Sequence, residues 1–127
     1  MAIRIELNLR IPNSPGALAG ICQLLADERV NIIAMTLESN GQLRLVVDNP
    51  VLGAGVLRAQ HHQITERSVM VAAVANGPGA LAPVLTIAAE AGVNVDYAYG
   101  SAPEGTAGAA IVLGVADAQR ASAASGI

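Results

Sequence analysis

The chain has 127 residues, a net charge of −3 and 53% hydrophobic residues, yet its only aromatics are Tyr97 and Tyr99. Alanine supplies 25 residues and all seven basic residues are Arg, so the apolar fraction comes from small and aliphatic side chains. That balance excludes disorder, which needs few hydrophobics and many charges. It also excludes a nucleic-acid-binding surface, because no Lys/Arg cluster meets phosphates and no aromatic ladder meets bases.

Length predicts one domain able to bury roughly two-thirds of its unfolded surface. Cys22 is the only cysteine, which excludes an intrachain disulfide and points to a reducing cytoplasm. The start, Met1-Ala2-Ile3-Arg4-Ile5-Glu6, alternates apolar and charged residues as a strand does, unlike a signal peptide. Residues 68–89 carry no charge and are long enough for a bilayer at ~20 residues. Asn76-Gly77-Pro78-Gly79 in their middle, and Pro83 beyond, make them a strand, a turn and a helix instead.

In chain order, residues 3–9 alternate with period two and form a first strand. Asn13 and Ser14 are turn and N-cap types, and Pro15 suits a first helical position. Leu18, Ile21, Cys22 and Leu25 follow at i, i+3, i+4 and i+7, one stripe of a helix. A strand over 31–37, the hairpin signal Asn40-Gly41 and a strand over 43–48 come next. Asn49-Pro50 opens a second helix near 51–61, and 64–75 is one extended run, long enough to end one unit and begin another. A third helix holds Pro83 in its first turn and ends on Gly92, where the first helix has Arg29. A strand over 94–99, a loop over 100–108, a strand over 109–115 and a short helix from Asp117 complete the chain. The order is β-α-β-β-α-β and then most of it again. Right-handed crossovers give α+β units of the ferredoxin-like plan, antiparallel sheets side by side with helices on one face, the last strand of the second unit missing. The runs 45–47 and 69–74 are apolar on both sides, so the helix-free face is expected to be covered as well, by another sheet or another chain.

A shift of 63 positions brings the chain onto itself. Asn13-Ser14-Pro15-Gly16-Ala17-Leu18-Ala19 falls on Asn76-Gly77-Pro78-Gly79-Ala80-Leu81-Ala82, and Val30-Asn31-Ile32 falls on Val93-Asn94-Val95. Nine of the twenty positions 13–32 are identical without a gap, against about one or two by chance. Two units of about 60 residues are therefore expected, 1–63 and 64–127.

Both copies of this pattern resemble the ACT domain, a small regulatory module: Asn-x-Pro-Gly-x-Leu opens the first helix and Val-Asn-Ile opens the second strand. Tyr97-Ala98-Tyr99 is similar to the Tyr-x-Tyr of the second copy in tandem members, and the resemblance covers essentially the whole chain. It implies amino-acid binding where two units meet, at the loops between strand one and helix one. It assigns to the ligand Asn13, Ser14, Pro15, Gly16, Ala17 and Leu18 of one loop, and Asn76, Gly77, Pro78, Gly79, Ala80 and Leu81 of the other. Asn13 and Asn76 match the loop Asn that holds the ligand; Asn31 and Asn94 match the Asn that reaches in from the neighbouring unit. The loop's own chemistry agrees. Glycine lets backbone approach closely, helix-start N–H groups suit a carboxylate, and a carboxamide both donates and accepts, as a zwitterion requires. Pro-Gly at a helix start and Asn before a strand are also ordinary turn chemistry.

Elsewhere the sequence offers little. His61-His62 are adjacent, so they do not share a helix face, and read as a cationic pair at a helix C-terminus rather than as metal ligands. Cys22 lies on the apolar stripe as an inert thiol. Tyr97 and Tyr99 share a strand face, either as the largest core pieces or as a wall of the ligand pocket, Tyr99 being the one counted among the ligand-binding residues. No catalytic constellation is present, and the 100–108 loop lacks the Lys of a phosphate loop. The expectation is a non-enzymatic, cytoplasmic regulatory module without cofactor or metal. It would bind a small-molecule ligand, an amino acid, form a homodimer and act on an enzyme or transporter, without nucleic acid or membrane. The alternative is a regulatory subunit or assembly module that works through protein–protein contact alone.

Overall fold

The computed structural model describes residues 2–125. Its elements are β1 (Ala2–Arg10), α1 (Ala17–Asp27), β2 (Ile32–Leu37), β3 (Gln42–Val47), α2 (Pro50–Ala59), β4 (Thr65–Ala75), α3 (Ala82–Glu90), β5 (Val95–Ser101), β6 (Gly108–Val115) and α4 (Ala118–Ser125). They group into two compact units. One is Ile5–Arg67; the other joins the described residues from Ser68 onward to residues 2–4. No described helix is long and apolar enough to cross a membrane.

In the unit Ile5–Arg67 the strands run β2-β3-β1, with the start of β4 beyond β1. Antiparallel register places Leu7 opposite Leu45 and Leu9 opposite Leu43. These four, with Val47, form one face of the sheet, and Ile21 and Leu25 of α1 and Ala54 and Leu57 of α2 close over it. Period two sends Glu6 and Val46 to the other face, and both are nonetheless fully buried. The apolar run 45–47 is thus shielded on both sides, as its composition requires.

Helix α1 begins later than its sequence suggests. The N-cap is Gly16 at φ 85, without a side-chain cap, so Asn13 and Ser14 do not cap and Pro15 lies outside the first turn. Ser14 instead closes a tight turn, its carbonyl accepting from the Ala17 N–H at 3.3 Å. By contrast α2 starts as expected: Pro50 sits in the first turn and the Asn49 side chain accepts from the Leu52 N–H at 3.1 Å. After α1 the chain reverses through Arg29 at φ 59, a left-handed position that costs an L-residue roughly 1–2 kcal/mol. The Val30 N–H reaches the Leu25 carbonyl across it, a C-terminal cap that glycine normally occupies. Arg29→Gly should therefore stabilise the chain by about 1 kcal/mol and raise Tm by a few degrees in calorimetry; an unchanged or lowered Tm contradicts this. His61, also left-handed at φ 68, plays the same part after α2, as the His62 N–H bonds back to Leu57.

The second unit repeats the plan with smaller helix residues. Its strands run β5-β6-β4, Met70 stands opposite Leu113, and Ala72 stands opposite Ile111. Ala88 of α3 and Ala118 and Ala121 of α4 pack on that face. Pro83 falls in the first turn of α3, and Gly92 caps its end at φ 69, as the sequence predicts. Asp117 caps α4 by accepting from the Arg120 N–H at 3.0 Å. No strand follows α4 among the described residues. The far side of β4 is taken by the start of β1, and Ile3 packs against this unit's core.

Candidate functional site

Each repeated loop lines a pocket. In the unit Ile5–Arg67 the pocket has a volume of about 60 Å³, bounded by Asn13, Ser14, Ala17 and Leu18, by Ile11 and Pro12, and by Leu37, Glu38 and Gly41 of the β2–β3 hairpin. In the other unit it reaches about 390 Å³. Asn76, Gly77, Ala80 and Leu81 form one wall; residues 98–102 and 109–111 of the β5–β6 hairpin form the other, with Val74 and Ala75 between them. The same four repeat positions face both pockets (13, 14, 17 and 18 against 76, 77, 80 and 81), while Pro15-Gly16 and Pro78-Gly79 stay outside both linings. Gly16 and Gly79 hold the same left-handed turn, φ 85 and φ 78.

The hairpins explain the difference in volume. Between β2 and β3 the chain turns in four residues, where the Gly41 N–H bonds to the Glu38 carbonyl at 2.9 Å. Gly41 then bonds Ile11 through its own carbonyl, also at 2.9 Å, pinning the hairpin tip to the loop. Glu38, at the pocket edge, is engaged by Arg44. Between β5 and β6 the loop 102–107 is longer, and Asn76 holds it. Its Nδ2 donates to the carbonyls of Pro103 and Thr106, both at 3.0 Å, while its backbone N–H bonds to Ala107 at 3.0 Å. The larger pocket is walled by Ala75, Ala80, Ala98, Gly100, Ala102, Ala109 and Ala110, whose short side chains leave the space open.

The remaining predicted residues separate. Asn31 and Asn94 line neither pocket; they precede β2 and β5, about 20 Å along the strand from the loop of their own unit. The backbone of Asn31 is tied to the Asp48 carboxylate, and the Asn94 amide donates to Asp96 at 3.0 Å. Tyr99 does border the larger pocket, and its ring stacks on Tyr97 with centroids 6.3 Å apart and planes 12° from parallel. The paired register puts both rings on the sheet face opposite Ala98 and Gly100. Tyr97 lies over Gly114, in the space a side chain there would fill.

Residues 1–123 match a family described as the ACT domain pair. The chain is an ACT domain pair. No curated protein matches its sequence. Among solved structures, a protein from Bacteroides thetaiotaomicron superposes with a TM-score of 0.85 at 26% identity, over 96% of this chain and 85% of that one. The regulatory subunit of aspartate kinase from Thermus flavus gives 0.67 at 16% identity, over 97% of this chain and 92% of the other. An E. coli aspartokinase III, solved in complex with lysine and aspartate, gives 0.59 at 15% identity; the match covers 95% of this chain but 31% of the kinase. At such identities the last two show shared fold.

The ACT pair's pockets also include residues that sequence reasoning passed over: Leu37, Glu38 and Gly41 on one side, and Ala98, Gly100, Ala109 and Ala110 on the other. The available signal was the run of small residues in 98–110, which looked like plain loop and strand and becomes a wall only once hairpin register sets it opposite residues 76–81.

Proposed function

We propose that this ACT pair is a non-enzymatic regulatory module that binds an amino acid at its repeated strand–helix loops. The observation that carries the reading is that the four corresponding positions of both loops face a pocket. The E. coli aspartokinase III complex, which holds lysine and aspartate, supports the ligand class. In the larger pocket the exposed start of α3 and the Asn76 carboxamide are the polar groups suited to a zwitterion. Binding would favour one arrangement of the chain over others, and an enzyme or transporter would respond to that population shift. A second reading, a module acting through protein contact without a ligand, draws on the exposed Val51 and Leu52 at the start of α2, 82% and 40% accessible.

A thermal-shift panel of the twenty amino acids separates the two. A ligand at 100 times its Kd adds about 2.7 kcal/mol, which raises Tm by several degrees in a chain of this size. At least one amino acid should do so. A flat panel sinks the amino-acid reading and leaves the contact module.

A further inference from the structure

The two pockets are not equivalent, and the larger one has a definite chemistry. We propose that the pocket of the second repeat takes an amino acid with an uncharged, apolar side chain, one per chain, with its ammonium group on the Asn76 carboxamide oxygen. The inference rests on the amino-acid reading above and narrows it in three respects.

Stoichiometry follows from volume. Ligand sites for small molecules usually measure roughly 300–1,000 Å³; the 60 Å³ space beside Asn13 falls far below that range and the 390 Å³ beside Asn76 lies within it. Side-chain class follows from the lining. None of the ten acidic residues and none of the seven arginines borders the larger pocket; Val74, Leu81, Ile111 and the alanines do. A charged ligand side chain placed there would lose its hydration without gaining a counter-charge. The orientation follows from Asn76. A carboxamide nitrogen has two hydrogens, and both are spent on Pro103 and Thr106. What the side chain has left for a ligand is its oxygen, an acceptor only, which suits an ammonium and not a carboxylate.

Isothermal titration of the full chain with L-leucine, L-methionine, L-lysine, L-aspartate and 4-methylpentanoate (leucine without its amino group) tests each part. Leucine or methionine should saturate at about one per chain. Lysine, aspartate and 4-methylpentanoate should each bind at least tenfold more weakly. Leu81→Asp, at a position 44% exposed and so tolerant of charge, should weaken leucine at least tenfold while leaving the melting temperature of the free chain nearly unchanged. Lysine or aspartate binding as tightly as leucine, a stoichiometry of two, or undiminished affinity for 4-methylpentanoate overturns the proposal while the amino-acid reading stands. No binding of leucine or methionine overturns the proposal, and a flat thermal-shift panel of all twenty amino acids overturns the amino-acid reading as well.

Discussion

Gly41→Ala should cost the protein about 2–4 kcal/mol, seen as a lower denaturant midpoint at unchanged slope. Two effects add at this position. Gly41 has φ +89, where any side chain is strained, and a Cβ there would come within 3.0 Å of the carbonyl oxygen of Ile11, the residue that follows β1. Ile11 is 6% exposed and its N–H bonds to Gly41, so neither partner can withdraw without opening the junction of β1 with the β2–β3 hairpin. Gly20→Ala provides the contrast. It lies within α1, its Cβ would meet nothing within 4 Å, and alanine is the better helix former, so a gain of roughly 0.5–1 kcal/mol is expected. Equal losses from the two substitutions would mean that the hairpin tip is not packed as described.

Gly100→Ala should cost about 1–3 kcal/mol and abolish ligand binding in the second repeat, although its backbone is ordinary strand. A Cβ at Gly100 would lie closer than 3.0 Å to the Ala110 carbonyl oxygen and 3.0 Å from the Ile111 Cα. Relief requires β5 to move away from β6. That movement displaces Ala98, Gly100 and Ala102 together, and with them one wall of the pocket. Denaturant unfolding reads the stability loss, and the thermal-shift response to the ligand that stabilises the parent chain reads the binding loss. A destabilised variant that keeps the full ligand shift would show that the ligand lies elsewhere.

Much of this fold was legible in the sequence because its signals are local. Proline and glycine punctuate it: Pro50 and Pro83 fall in first turns, Gly92 ends α3, and Asn40-Gly41 marks a hairpin. Of the twelve-residue run before Asn76, eleven residues form one strand, β4, and the division between the units falls within it, after Arg67. Other features depend on what packs opposite. The start of α1 at Ala17 instead of Pro15 is set by Gly16 turning left-handed, which Pro-Gly permits but does not compel. Arg29 takes a position that propensity reserves for glycine, since the reversal into β2 leaves it no other. In the second unit the place beside β4 is taken by the chain's first residues, a pairing 60 and more positions apart that no local pattern announces. At the candidate site, the repeat identified one wall of each pocket. The opposite walls, and a volume difference of more than sixfold, come from the hairpins, where the repeat has diverged into a four-residue turn and a longer loop held by Asn76.

The half of the repeat that both units share would then face a ligand, while the divergent half shapes its pocket. Amide chemical-shift mapping of the isotopically labelled chain tests it most directly, titrating in the amino acid that gives the largest thermal shift. The strongest perturbations are expected at residues 76–81 and at 98–102 and 109–111, with little change in α2 and α4. Saturable binding with perturbations concentrated on α2 or α4, and none at residues 76–81, would contradict it.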